Sequence, residues 1–135
     1  MKQLTVEAAV ENIETVTAFV AEELEKLNCP MKAETQITIA IDELFGNIAR
    51  YAYFPEIGQA TVRFDVENNP LAVIITFIDN GVPFNPLNAP APNLDNPEER
   101  REGGLGIFLV RRYSDRLQYE YTQKQNMLKI IKNRK

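Results

Sequence analysis

The segment Gln36–Tyr53 carries the clearest helical pattern in the chain and constrains the fold more than any other stretch. At about 100° per residue, its apolar side chains fall on one stripe, which is formed by Ile37, Ile41, Leu44 and Ile48. Glu43 and Asn47 lie roughly 40° apart, on a flank about 120° from the centre of that stripe. We therefore predict an amphipathic helix that points an acid and an amide into a cleft beside the core. The alternative is that both residues belong only to the solvated side of the helix.

The size and charge of the chain set further limits. Its 135 residues, 44% of them hydrophobic, predict one compact domain that spans residues 1–135. A net charge of -4 and the absence of a basic run argue against nucleic acid as a partner. No apolar run approaches the roughly 18 residues that a membrane span requires, so we expect no membrane segment and a cytoplasmic location.

The chain contains no histidine and one cysteine, Cys29. The missing histidine excludes Ser-His-Asp and Cys-His hydrolases, His-ligated zinc and acid-base chemistry by imidazole. A single cysteine can form neither an internal disulfide nor a cysteine-rich zinc site. The absence of histidine is therefore the most informative absence in the sequence.

Periodicity divides the remaining chain into strands and helices. It predicts a two-layer α/β sandwich, in which a mixed, mostly antiparallel sheet is covered on one face by three helices. Asn126 falls in the predicted turn of the last hairpin, Lys124-Gln125-Asn126. The predicted strands are Lys2–Ala8, Val62–Val66, Leu71–Ile78, Leu117–Tyr121 and Met127–Ile131, and the predicted helices are about Glu11–Asn28, Met31–Tyr53 and a third after Gly106.

Three consecutive segments carry residue types that suit a ligand site. Asp79-Asn80-Gly81 directly follows the most apolar strand, so an acid lies where a site would open. Residues 82–102 hold five of the eight prolines, and such a long loop is more often a functional lid than an idle insertion; both interpretations stay open. Gly103-Gly104-Leu105-Gly106 precedes a helix, where unobstructed backbone N–H groups and the helix dipole favour a phosphate. A nucleotide site explains these features together.

Three motifs, in order, resemble those of the Bergerat-fold ATPases, the superfamily of the gyrase, heat-shock chaperone, mismatch-repair and histidine-kinase ATP domains. DELFGNIARYAY is similar to the Glu-x-x-x-Asn box of that superfamily, DNGVPFNP to its Asp-x-Gly adenine-binding box, and EGGLGIFLVRRYSD to its second glycine box. The compact size and the tail YSDRLQYEYTQKQNMLKIIK more closely resemble bacterial anti-sigma-factor serine/threonine kinases. The chain departs from that subgroup at Tyr51, where histidine is common, and at Asp42, where a small residue is usual.

The resemblance implies a role for each matched residue. Asp79 would accept a hydrogen bond from the adenine amino group, and Gly81 would let the base approach. Asn47 would coordinate Mg²⁺, and Glu43 would be the base that activates a protein serine hydroxyl. The residues implied to surround the phosphates of ATP are Arg101, Gly103, Gly104, Leu105 and Gly106.

The resemblance also implies a function. It implies an ATP-binding anti-sigma regulatory factor that binds a sigma factor. It further implies that the protein phosphorylates a serine or threonine on an antagonist domain of the sulfate-transporter/anti-sigma-antagonist (STAS) type. A homodimer is left open. The alternative is a nucleotide-gated partner-binding module without kinase activity. A histidine-kinase ATP domain is disfavoured, because the sequence offers no histidine to phosphorylate and no dimerisation helix pair ahead of the domain.

Overall fold

A computed structural model describes residues 1–68, 71–88 and 104–133. The described strands form one sheet in the order β1-β2-β3-β5-β4, and each neighbouring pair is antiparallel. Among the described residues, three helices accompany the sheet, so the predicted α/β sandwich is confirmed. The strands are β1 (Lys2–Glu7), β2 (Gln59–Glu67), β3 (Ala72–Asp79), β4 (Arg116–Thr122) and β5 (Gln125–Asn133), and the helices are α1 (Ile13–Lys26), α2 (Met31–Asn47) and α3 (Gly104–Tyr113).

Helices α1 and α2 form a helical hairpin over one face of the sheet. Helix α1 ends before Asn28, which takes a left-handed φ of 54°, and Pro30 then precedes α2. The apolar stripes of both helices are buried against inward-facing side chains of the sheet, and α3 joins the same core. The buried residues of this core include Val16, Val20 and Leu24 of α1, Ile37, Ile41 and Leu44 of α2, Ile107 and Val110 of α3, and Val62, Ile75 and Phe77 of the sheet.

The helix predicted to run to Tyr53 changes its pitch before it ends. Helix α2 is regular as far as Asn47, and Ile48–Ala52 continue it as a π turn. Such turns are rare and recur at functional sites. The carbonyl of Ala52, the last residue of the turn, accepts a hydrogen bond from the backbone N of Val82 (3.0 Å). The end of the π turn is therefore joined directly to the segment that follows β3.

The final hairpin turns earlier than the sequence predicts. Gln123 and Lys124 take left-handed φ values of 53° and 62°, and they close a two-residue turn between the paired residues Thr122 and Gln125. Two left-handed residues are the geometry of a tight hairpin, but neither residue is the glycine or asparagine that usually signals one. The prediction that Asn126 lies in the turn is therefore wrong. Asn126 belongs to β5, pairs with Asp79 and is 6% exposed.

The face of the sheet away from the helices is covered in part by its own long side chains. Arg116 of β4 reaches Glu67 of β2 and donates a hydrogen bond of 2.6 Å to its carboxylate. Strands β3 and β5 lie between these partners, so the ion pair passes over the sheet, where Ala72 and Ile131 are buried. Because both charged side chains are about half exposed, we expect the pair to contribute no more than about 1 kcal/mol.

Two further predictions concern the lid and membrane-spanning segments. Of the predicted lid, residues 82–102, the structure describes only 82–88, and these end in a 3₁₀ turn at Pro86–Asn88. Among the described helices, none combines the length and the apolar composition needed to cross a membrane.

Candidate functional site

A cavity of about 170 Å³ opens between the end of α2, the end of β3 and the last hairpin. Most of its walls are apolar or aromatic, and the predicted site residues Asn47 and Asp79 both line it. Such a cavity, with a few convergent polar groups, is the usual form of a small-molecule site. The remaining lining residues are Leu44, Ile48, Tyr51, Ala52, Phe77, Val82, Pro83, Phe84, Pro86, Tyr119, Asn126 and Leu128.

Asp79 is the acidic group of this cavity. Its side chain is only 5% exposed, and its Oδ1 accepts hydrogen bonds from Asn126 Nδ2 (3.0 Å) and from the backbone N of Gly81 (2.9 Å). Burial raises the pKa of Asp79 above its ordinary value, and the two hydrogen bonds act in the opposite direction by stabilising the charged form. Oδ2 takes no hydrogen bond from a described residue. This oxygen is therefore the acceptor that the site can offer to a ligand.

Gly81 lies against the end of the π turn that follows α2, so closely that no side chain fits. A Cβ at this position would lie 2.3 Å from the carbonyl oxygen of Ala52 and 2.6 Å from its carbonyl carbon. Both contacts are with backbone, which cannot move aside without breaking the Val82–Ala52 hydrogen bond. The glycine of the Asp-x-Gly motif is thus required by the packing of the strand end on the π turn.

We expect Gly81→Ala to lower the free energy of unfolding by about 1–3 kcal/mol, because the added methyl group forces the strand end away from Ala52. Chemical denaturation measures the effect. Gly46→Ala is the matched control: a Cβ there would meet only the flexible Arg50 guanidinium, at 2.8 Å, inside a helix. Since alanine favours helix by about 1 kcal/mol over glycine, Gly46→Ala should be neutral or stabilising. Equal losses in the two variants would contradict this account.

Glu43 and Asn47 lie one turn apart near the end of α2 and are in contact. Asn47 Nδ2 donates a long hydrogen bond of 3.4 Å to Glu43 Oε1, and both residues are half-buried. Asn47 lines the cavity, whereas Glu43 is not among the lining residues. Burial raises the pKa of Glu43 above its ordinary value, Asn47 and the charge of Arg50 oppose that shift, and the charge of Asp42 adds to it. Asn47 therefore contributes an amide to the cavity wall, and Glu43, whose carboxyl pKa is raised, contacts that amide from outside the wall.

Two site residues, Asn126 and Tyr119, were missed by the sequence analysis. Asn126 Oδ1 accepts hydrogen bonds from the Tyr119 hydroxyl and from the backbone N of Phe84 (3.1 Å). Asn126 Nδ2 donates to Asp79 and to the carbonyl of Val82 (2.9 Å). The only signal in the sequence was an asparagine next to the alternating run of β5, and this pattern also fits a turn.

Tyr53 fixes the backbone just beyond Asp79. Its hydroxyl accepts a hydrogen bond from the backbone N of Asn80 (2.8 Å) and donates one to the carbonyl of Gln59 (2.6 Å). The ring lies over Gly58, where a Cβ would come within 2.3 Å of it. The strand end that carries Asp79 is thus held from both sides, by Tyr53 and by Asn126.

The predicted phosphate-binding residues lie at the start of α3. Gly104, Leu105 and Gly106 are its first three residues, while Arg101 and Gly103 lie outside the described residues. Ile107, in the next position of the helix, lines a small void of about 10 Å³ together with Leu44 and Pro86, and these two residues also line the main cavity. Through these two shared residues, Ile107 of α3 lies next to the wall of the cavity. Of the two departures noted above, Tyr51 lines the cavity and Asp42 is exposed.

The sequence has a counterpart among known protein families. The family model for the histidine kinase-like ATPase domain matches residues 6–132, which include the strand-end acid, the α2 pair and the start of α3. The chain belongs to this family, and the predicted relation to the Bergerat-fold ATPases is confirmed.

Among curated proteins, the chain is similar to serine-protein kinases named RsbW. It is 29% identical over 101 residues to the protein from Bacillus mycoides (strain KBAB4), and 30% identical over 95 residues to that from Bacillus cereus (strain AH820). Each match covers 67% of this chain, and the chain spans 58% of the length of these relatives. A solved structure, the Acinetobacter baumannii histidine kinase AdeS, matches with a TM-score of 0.45 and 10% identity, covering 98% of this chain and 68% of that one.

Proposed function

We propose that the protein is an ATP- and Mg²⁺-dependent serine/threonine protein kinase of the anti-sigma type. The observation that carries the proposal is the buried Asp79 carboxylate in the wall of a mostly apolar cavity. One oxygen of this carboxylate takes no hydrogen bond from the described residues. Two comparisons support the same function: the chain belongs to a family of ATPase domains, and it is similar to proteins named serine-protein kinases.

The cavity suits an adenine base in shape and polarity. Apolar walls such as Phe77, Val82 and Leu128 favour a flat, weakly polar ring, while the Asp79 carboxylate accepts a hydrogen bond from an exocyclic amino group. A keto group at that position would set two acceptors against each other and leave Oδ2 of the buried carboxylate without a donor. The proposed site therefore selects adenine over guanine.

The residues at the end of α2 also fit a magnesium site next to the base. Asn47 offers one hard amide oxygen, and Mg²⁺ commonly takes few protein ligands, with phosphates and waters completing its octahedral shell. When bound, Mg²⁺ neutralises charge on the phosphates and so supports phosphoryl transfer. In this proposal, Asn47 holds the metal. Glu43 accepts the proton of the attacking serine or threonine hydroxyl, and its raised pKa brings it closer to that of an effective base.

The start of α3 supplies the environment for the phosphates. Its first backbone N–H groups, at Gly104, Leu105 and Gly106, have no partners within the helix and lie at the positive end of its dipole. The proposal assigns the phosphates to these groups, with Arg101 and Gly103 as further contacts. Magnesium and ATP are thus the proposed cofactors, with Asp79 assigned to the base, Asn47 to the metal and the start of α3 to the phosphates.

The proposed partners are a sigma factor, which the protein would bind and hold inactive, and an antagonist domain of the STAS type, which it would phosphorylate. Regulation of transcription and a cytoplasmic location belong to this proposal, and a homodimer is compatible with it. A second candidate, a nucleotide-gated binding module without transferase activity, is favoured by one observation: Glu43 does not line the cavity.

The test is ATP-dependent labelling of a purified STAS-type antagonist in the presence of Mg²⁺. We expect radiolabel from the γ-phosphate to appear on a serine or threonine of the antagonist and to disappear when Mg²⁺ is chelated. ATP binding without labelling would favour the binding module. If calorimetry shows no heat of ATP binding at roughly millimolar nucleotide, a concentration at which even weak sites fill, both functions are wrong.

A further inference from the structure

The only Asn-Gly dipeptide of the chain, Asn80-Gly81, directly follows Asp79, the acid of the cavity. In such a dipeptide the backbone N of the glycine can attack the side-chain carbonyl of the asparagine, because the glycine has no side chain to obstruct the approach. The attack closes a succinimide ring and expels ammonia. Asn80 is exposed, so water can reach the ring and the ammonia can leave. The rate of this reaction then depends on the groups that contact the two reacting atoms.

Two hydrogen bonds bring useful groups to these atoms. The backbone N of Gly81, which is the nucleophile, donates to Asp79 Oδ1 (2.9 Å). This carboxylate can accept the proton that the nitrogen must lose, and burial makes it a stronger base by raising its pKa. Asn80 Oδ1, the oxygen that becomes negatively charged, accepts from Gln125 Nε2 (3.3 Å). A donor on that oxygen stabilises the tetrahedral intermediate, as an oxyanion hole does.

The backbone on both sides of the dipeptide is held by further hydrogen bonds. The backbone N of Asn80 donates to the Tyr53 hydroxyl (2.8 Å), and the backbone N of Val82 donates to the carbonyl of Ala52 (3.0 Å). The reacting residues lie between these two fixed points, so ring closure costs less conformational entropy than it does in an unfolded chain. The fold thus brings the nucleophile, a base and an oxyanion donor together before the reaction begins.

We propose that Asn80 is a self-modification site: the folded chain converts it through a succinimide to aspartate and isoaspartate, with Asp79 as the base and Gln125 as the oxyanion donor. A bond forms between Gly81 N and Asn80 Cγ, and the Cγ–Nδ2 bond breaks. The proton taken by Asp79 passes to the leaving nitrogen, which departs as ammonia. Water then adds to one of the two ring carbonyls. Opening at Cγ leaves aspartate, and opening at the backbone carbonyl leaves isoaspartate.

Isoaspartate is incompatible with the packing of the strand end. It routes the main chain through Cγ and so inserts an extra backbone atom before Gly81. Gly81 has no room to shift, since even an added Cβ would lie 2.3 Å from the carbonyl oxygen of Ala52. The strand end must therefore move and carry Asp79 with it. This effect on the site rests on the proposed function: we expect the isoaspartate form to lose affinity for ATP by about 10-fold or more, the contribution of a hydrogen bond to a charged group.

Peptide mapping by mass spectrometry tests the modification on the intact chain during incubation at neutral pH. The reference is the same chain unfolded in guanidinium chloride, in which the sequence is unchanged and the hydrogen bonds are lost. We expect Asn80 to convert faster in the folded chain by about 10-fold or more, because a general base and a fixed geometry each accelerate the attack. Equal or slower conversion in the folded chain would overturn the proposal.

Two variants assign the rate to the two groups. Asp79→Asn keeps an acceptor for the Gly81 N–H but removes the base. Gln125→Met removes the donor to Asn80 Oδ1 and retains a long side chain. Each should lower the ratio of the folded to the unfolded rate by about 10-fold. Gln118→Met, the matched control at an exposed position of β4, should leave that ratio as in the wild type. An unchanged ratio in Gln125→Met, which leaves the cavity intact, would overturn the proposal even if Asp79→Asn does not fold.

The effect on the nucleotide site is measured separately. Chromatography separates the isoaspartate form from unreacted protein, and calorimetry gives the affinity of each for ATP. Asn80→Asp supplies the aspartate form, which keeps the length of the main chain and adds its charge at an exposed position, so it should bind ATP nearly as the wild type does. Wild-type affinity in the isoaspartate form would overturn the proposed effect. If unreacted protein binds no ATP, the proposed function fails, whereas the rates of conversion still decide the modification.

Discussion

Asp79→Ala is expected to abolish measurable ATP binding, with a loss of affinity of about 100-fold or more. The variant removes the proposed acceptor for the adenine amino group, and it also leaves the Asn126 amide and the Gly81 N–H without the oxygen that they share. Hydrogen bonds to a charged group contribute about 1.5–3 kcal/mol each, and about 1.4 kcal/mol corresponds to a tenfold change in affinity. Calorimetric titration with Mg²⁺ and ATP measures the effect directly.

Asp79→Asn separates the chemistry of this site from its shape. Asn126 Nδ2 and the Gly81 N–H both donate to the oxygen at the Oδ1 position, so the new amide should orient its carbonyl towards them. Its NH₂ group then occupies the position of Oδ2 and meets the adenine amino group donor to donor. We expect Asp79→Asn to lose as much affinity as Asp79→Ala. Asp65→Ala, which removes an exposed carboxylate from β2 outside the cavity, should bind ATP normally. Normal binding by Asp79→Asn would contradict the proposed adenine contact.

Glu43→Gln is expected to separate catalysis from binding. The substitution preserves size and hydrogen-bonding reach but removes the basic carboxylate, and a general base typically contributes about 10² to 10⁴-fold to the rate. Phosphoryl transfer to the antagonist should fall by that factor, while the affinity for ATP changes little because Glu43 does not line the cavity. Single-turnover labelling, together with calorimetry, measures the two quantities on one sample.

Asn47→Ala should lower both quantities together, because it removes the proposed magnesium ligand from the cavity wall. Glu34→Gln makes the same acid-to-amide change as Glu43→Gln nearer the start of α2 and should affect neither quantity. Since the pKa of Glu43 is raised, wild-type transfer should decline with acidification at a higher pH than an ordinary glutamate would require. Transfer that survives Glu43→Gln undiminished would exclude Glu43 from the mechanism and require another base.

The helices and most strands could be predicted because their signals are local. The apolar stripe of α2 and the alternation in β2 follow from neighbours within a few residues, and the structure contains both elements. The motif residues Asn47 and Asp79 could be identified for the same reason, since each occurs in a short, ordered pattern. That the two line one cavity follows from packing, and this is a property of the folded chain.

Asn126 could not be predicted as part of the site, because only its pairing with Asp79 on the neighbouring strand places it there. Its partner Asp79 is 47 positions away, and their pairing depends on β5 lying between β3 and β4. The two left-handed residues, Gln123 and Lys124, that set this register carry no glycine signal. The position of Glu43 outside the cavity wall likewise depends on the orientation of α2 about its own axis when it packs on the sheet. The separation of about 40° between Glu43 and Asn47 on an isolated helix cannot determine that orientation.

The order of the strands also has a consequence for how the protein is made. Synthesis proceeds from the N-terminus, so β3 and its acid leave the ribosome well before the last hairpin. Asp79 lacks its partner until β5 is made, because β5 pairs with β3 and carries Asn126. Such long-range pairing is the slow part of folding. We therefore expect that nucleotide cannot bind a growing chain from which Asn126 has not yet been synthesised. ATP would then stabilise the folded chain only after β5 has paired, and it would not promote the earlier steps of folding.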